Sequence, residues 1–98
     1  MPTPSAQTSE QDSAARRAKV FKALADPCRV RIVELLSRQG ELCGTQLADA
    51  MGVSIALLSH HWKVLEAAGL ISKRKVGQHS YCVLNRELLA ETVRGLVE

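Results

Sequence analysis

From Ser13 onward, apolar residues recur at helical spacing, and turn-forming residues cut the chain into segments. Ala14, Ala15, Ala18, Val20, Phe21, Leu24 and Ala25 mark a first helix, which "ADP" ends. Asp26 suits an N-cap and Pro27 a first helical position, so a second helix is expected from Pro27 to about Arg38. Its buried face would be Ile32, Val33, Leu35 and Leu36, with Gly40 as its stop. A short third helix, Thr45 to Met51, carries Leu47, Ala48 and Met51 on one side and breaks at Gly52. Ser54 then caps a fourth helix that continues to about Ala68 before Gly69. Leu58, Trp62 and Leu65 fall at i, i+4 and i+7 and form its inward seam, which leaves Ala56, Ser59, His60 and Lys63 on the outer face.

Beyond Gly69 the period changes from helix to strand. Two β-prone runs, Ile71–Lys75 and Ser80–Leu84, flank "VGQH", where Gly77 supplies the turn of a hairpin. Asn85 caps a closing helix whose Leu89, Val93, Leu96 and Val97 make an apolar stripe. Ahead of these elements, residues 1–12 are polar, contain two prolines and read as a disordered arm. The expected architecture is mainly α with a small β-hairpin, in one domain over residues 13–98: four helices, a two-stranded ribbon and a last helix.

A short helix, a glycine turn and a longer helix have helix-turn-helix spacing. Ala48 provides the small residue where the helices approach, Leu47, Val53 and Leu58 the apolar anchors, and Gly52 the permissive turn. Once those anchors point inward, the outer face of the longer helix has the width of the B-DNA major groove. The hairpin beside it is cationic: between Ser54 and His79 the positive residues are Lys63, Lys73, Arg74 and Lys75, against Glu66 alone. A cationic ribbon next to such a helix makes a wing, able to reach the backbone or the minor groove. The net charge of +3 by itself decides nothing. With 46% hydrophobic residues but only 3% aromatic, the core must be aliphatic, and a small aliphatic core gains by dimerising.

No paired carboxylates, activated nucleophile or phosphate-cradling glycine loop is visible, so an enzyme is not expected. The apolar runs are too short to span a bilayer, and no charged-then-apolar leader opens the chain. Three cysteines without paired spacing fit a reducing compartment, so a cytoplasmic protein with no membrane partner is expected.

The stretches "FKALADPCRVRIVELL", "ELCGTQLADAMGVSIALLSHHWKVLEAAGLI" and "KRKVGQHSYCVL" resemble the ArsR/SmtB family of bacterial winged helix-turn-helix repressors, over about residues 16–90. The resemblance implies a homodimer formed through the first and last helices. It also implies a repressor on a palindromic double-stranded operator, released by an effector. Its residue roles carry over to Ser54, Ala56, Leu57, Ser59, His60 and Lys63 on the recognition helix and to Arg74, Lys75, Gln78 and His79 on the wing. Ser59 and His60 can hydrogen-bond bases or phosphates, whereas Lys63 suits a phosphate. Relatives commonly have Ser or Thr where Ala56 and Leu57 stand, a departure that favours apolar contact with thymine methyls. Relatives also carry Arg at the wing tip where this chain has Gln78. His61 is expected to be a satisfied, half-buried histidine. The alternative to operator binding is a winged-helix protein-interaction module whose basic face is merely solvated.

The effector is less legible. Arsenic-responsive relatives begin the third helix with a pattern like ELCVCDLC; here "ELCGTQLA" keeps Cys43 but has Thr45 and Ala48 in place of the other thiols. The zinc site of other members, built from Asp, His and Glu on the last helix, is not carried by "RELLAETVRGLVE". No resident cofactor or metal is therefore expected. Cys28, Cys43 and Cys82 are expected to be buried or spectator thiols, with a thiol sensor for an oxidant or a soft metal as the alternative. Of these, Cys28 sits in the first turn of its helix, where the dipole is expected to lower its pKa.

Overall fold

In the computed structural model of the chain, residues 4–97 are described, with side-chain surroundings from residue 10 onward. The elements run α1 (Pro4–Leu24), α2 (Pro27–Gln39), β1 (Leu42–Cys43), α3 (Gly44–Met51), α4 (Ile55–Ala67), β2 (Ile71–Val76), β3 (His79–Leu84) and α5 (Arg86–Val97). Capping side chains set where three of the helices begin. Asp26 accepts from the Cys28 and Arg29 amides (2.8 and 3.2 Å), Ser54 from Leu57 (3.1 Å) and Asn85 from Leu88 (3.2 Å). At the far end of α2, the Arg86 guanidinium donates to the Ser37 carbonyl at 3.0 Å, one of the orphan acceptors there.

Two expectations are corrected. The segment 4–12, expected as a disordered arm, is helical and continuous with α1, while residues 1–3 of that arm lie outside the described residues. Its polarity is no obstacle: once a turn is nucleated, each added residue gains a hydrogen bond, and Pro4 occupies the first turn where proline is tolerated. The ribbon, expected to have two strands, is a three-stranded antiparallel sheet of order β1-β3-β2. Leu42 and Cys43 pair with Cys82 and Tyr81, a strand of two residues that is too short to show a period.

The core joins Val20 and Ala23 of α1, Ile32, Val33 and Leu36 of α2, Leu47 and Ala48 of α3, and Leu58, Trp62 and Leu65 of α4. Leu42, Leu70, Ile71 and Cys82 seal it from the sheet side. The expected α2, α3 and α4 faces are thus the buried ones. α1 differs in part: Val20 is buried and Leu24 packs against the core, whereas Ala14, Ala15, Ala18 and Ala25 are exposed and Ala23 packs in their place. The α5 stripe is split: Leu89 packs against the core, whereas Val93, Leu96 and Val97 are exposed and Thr92 is buried instead.

Leu65 is fully buried, whereas Leu57, on the same helix, is 45% exposed. Leu65→Ala is expected to cost about 2–5 kcal/mol of stability in urea unfolding. Leu57→Ala should stay within about 0.5 kcal/mol. Equal losses would show that α4 is not rotated as described.

Candidate nucleic-acid interface

Gly52 has φ 67°, a left-handed conformation that glycine adopts without a side-chain clash, and this lets the chain double back from α3 into α4. The Ser54 cap then starts α4, and burial of Leu58, Trp62 and Leu65 fixes its rotation. Ser54, Ala56, Leu57, Ser59, His60 and Lys63 are all exposed as a result.

The hairpin stands beside this face. Its register pairs Lys73 with Cys82, Arg74 with Tyr81, Lys75 with Ser80 and Val76 with His79, around Gly77 at φ 62°. Side chains alternate along a strand, so Lys73 and Lys75 leave β2 on the side of buried Ile71, and Arg74 leaves on the other. The Lys73 ammonium lies 5.4 Å from the Trp62 ring centroid, which ties the wing to α4 by a cation–π contact. One groove results, lined by Ser59, Trp62 and Lys63 of α4 and by Lys73, Gln78 and His79 of the hairpin.

Arg74 is placed differently. Its guanidinium pairs with Glu41 and stacks 5.9 Å from the Tyr81 ring, on the hairpin face away from the groove. Lys75 is exposed beside the groove but does not line it. Lys73, absent from the residues assigned a contact on sequence grounds, does line it. Counting by twos from Ile71 would have found it.

The three cysteines are free and occupy separate environments. Cys82 is in the core, where burial pushes its thiol up to about 12. Cys43 precedes α3; the Thr45 hydroxyl, 3.2 Å from its sulfur, and amide groups at the helix start hold its thiol below the ordinary value. Its neighbours in the register place Cys43 and Cys82 on opposite faces of the sheet, so they cannot bridge without rearrangement. For Cys28, burial and then the Asp26 charge raise the thiol pKa, contrary to the lowering expected from its place at a helix start.

His61 points away from the exposed face of α4 and is buried. An Arg29 guanidinium nitrogen donates to His61 Nδ1 at 3.2 Å, which satisfies it as expected. Asp26 Oδ1 lies 3.9 Å from the same ring nitrogen. With Cys28 these residues form a cluster whose ligand atoms all lie within 4.8 Å of one another. The cluster was not visible in the sequence, because more than thirty residues separate Cys28 from His61.

Residues 26–73 match the model of the arsR family of bacterial regulatory proteins. A cadmium resistance transcriptional regulatory protein CadC homolog from Staphylococcus aureus is 42% identical over 76 residues, covering 78% of this chain. The chain spans 63% of that relative's length, under two thirds of it. An ArsR-like transcriptional regulator from Rhodococcus sp. RHA1 superposes with a TM-score of 0.80 at 32% identity, over 87% of this chain and 79% of that one. The chain belongs to the ArsR family. That family comprises transcriptional regulators rather than enzymes. A homodimeric winged helix-turn-helix DNA-binding domain of a possible ArsR-family regulator from Mycobacterium bovis also superposes, with a TM-score of 0.76 at 26% identity. That match covers 99% of this chain and 87% of that one. The ArsR-type winged fold is the one assembled here, with α3 and α4 as its helix-turn-helix and the β2–β3 hairpin as its wing.

The thiol environments give a chemical test. Iodoacetamide at neutral pH is expected to modify Cys43 first and Cys82 only after unfolding, as peptide mass spectrometry would show. Labelling of Cys82 in the folded protein at the Cys43 rate would contradict its burial.

Proposed function

We propose that this ArsR-family chain is a sequence-specific DNA-binding transcriptional regulator, a dimeric repressor that an effector releases from its operator. The observation that carries the reading is the single groove between an exposed recognition-helix face and a cationic hairpin, with Lys63 and Lys73 on its two walls. In this reading α4 enters the major groove. Ser59 and His60 meet base edges, Ala56 and Leu57 meet thymine methyls, and Ser54 meets the backbone at the helix N-terminus. Lys63, Lys73 and Lys75 neutralise phosphates, while Gln78 and His79 at the wing tip donate hydrogen bonds. Arg74 contributes less, since Glu41 already offsets its charge.

Dimerisation supplies the second recognition helix. Phe21 on α1 and Val93, Leu96 and Val97 on α5 are large apolar residues left exposed, Leu96 at 59% and Val97 at 80%. A second copy packed on the first and last helices covers them, and the Mycobacterium bovis relative is a homodimer. Residues 13–98 then act together as DNA-binding and dimerisation domain. No helix among the described residues is long and apolar enough to cross a membrane. DNA binding and three free thiols support a cytoplasmic protein. Cys28, Cys43 and Cys82 stay as candidate points of effector action, with Cys43 the most thiolate-prone of them.

Fluorescence anisotropy on the DNA upstream of its own gene tests this reading. Affinity should fall steeply with salt, and Lys63→Ala or Lys73→Ala should each flatten the log–log slope by about one unit. Arg74→Ala should do less. Ser59→Ala and His60→Ala should change base preference by about 1–3 kcal/mol at one position each. Weak binding without salt dependence, unaltered by all of these substitutions, would instead make the basic face a merely solvated one.

A further inference from the structure

We propose that Asp26, Cys28 and His61 form a binding site for one borderline divalent cation of the zinc type. The three residues offer one oxygen, one sulfur and one nitrogen, the donor mixture that zinc and cobalt(II) accept together. Their ligand atoms lie within 4.8 Å of one another, and Asp26 Oδ1 is 3.9 Å from His61 Nδ1. A tetrahedral zinc site brings such atoms to separations of about 3.3–3.8 Å, given metal–ligand bonds of about 2.0–2.3 Å. The required contraction is about 1.5 Å at most, taken up chiefly by a turn of the Cys28 side chain. Asp26 is partly exposed, which leaves solvent to supply the fourth ligand.

The decisive feature is what occupies the position now. A guanidinium has no lone pair and only donates, so His61 Nδ1 must present its lone pair toward Arg29 at 3.2 Å. The same guanidinium nitrogen is 3.9 Å from Asp26 Oδ2. The protein thus already places positive charge between the imidazole and the carboxylate. A divalent cation takes that position by turning Arg29 aside and by displacing the Cys28 thiol proton to solvent. The bound ion then carries a carboxylate, a thiolate and a neutral imidazole, which balance its charge. The ion would also join the start of α2 to the middle of the recognition helix. An effect of that link on DNA affinity rests on the DNA-binding reading, whereas the site does not.

Cobalt(II) titration of the reduced, metal-free protein, without DNA, tests the site by absorption. The wild type should saturate at one cobalt(II) per chain, with a near-ultraviolet thiolate charge-transfer band and the visible bands of a four-coordinate ion. Cys28→Ser should remove the charge-transfer band, and His61→Gln, which removes a direct ligand, should weaken binding by more than the roughly tenfold that loss of an outer-shell partner costs. Arg29→Gln, which removes the competing charge, should tighten binding, so the proposal does not hang on the stability of a buried-histidine variant. No saturable cobalt(II), a band that survives Cys28→Ser or disappears with Cys43→Ser, or an Arg29→Gln variant that binds no tighter would each overturn it.

Discussion

The rotation of α4 about its own axis is the constraint from which the rest of the molecule follows. Leu58, Trp62 and Leu65 are almost wholly buried, and each such side chain stabilises the packed state by about 1.5–3 kcal/mol. Successive residues on a helix are about 100° apart, so holding one seam inward assigns every other position. Turning α4 by a single residue would bury Ser59 and Lys63 in an aliphatic core that offers them no partners. The cost of desolvating such groups exceeds any gain from alternative packing. The exposed polar strip is therefore the complement of the seam, and no separate interaction is needed to orient it.

The wing depends on the same core. Ile71 and Cys82 anchor β2 and β3 next to Trp62 and Leu65, and the alternation of the strands then sends Lys73 over Trp62. Asn85 closes the arrangement by donating its side-chain amide to the Gly69 carbonyl at 3.2 Å and its backbone amide to Leu70 at 2.8 Å. The end of the hairpin is thus clamped to the end of α4. Two elements that a duplex would touch together are held by one set of contacts, which is the mechanical requirement for a shared groove. β1 adds the outer rail, and Glu41 just before it holds Arg74 on the far side.

His61 shows how one helix can serve two faces. Its neighbour His60 is exposed, while its own ring reaches inward to Arg29 and the α2 cap. The Arg29 Nε–H is committed to the Ala23 carbonyl at 2.6 Å, so the end of α1, the start of α2 and the middle of α4 meet at this one guanidinium. Charge at this junction bears on the placement of α4 in a way that the apolar seam does not.

Helix existence, the Gly52 turn, the Asp26 and Ser54 caps and the seam of α4 were legible in the sequence, because each rests on local preference or on periodicity within one element. So was the candidate face, since it is the remainder of that seam. The extension of α1 to Pro4 was not, because polar composition suggests disorder equally well when nothing nearby reports a docked helix. β1 was invisible for want of length. The division of labour between Lys73 and Arg74 depends on which face of the hairpin meets α4, and the meeting of Asp26, Cys28 and His61 depends on how α2 crosses it. Both are relations between elements, set by packing of side chains distant in the chain, and only the tertiary structure decides them.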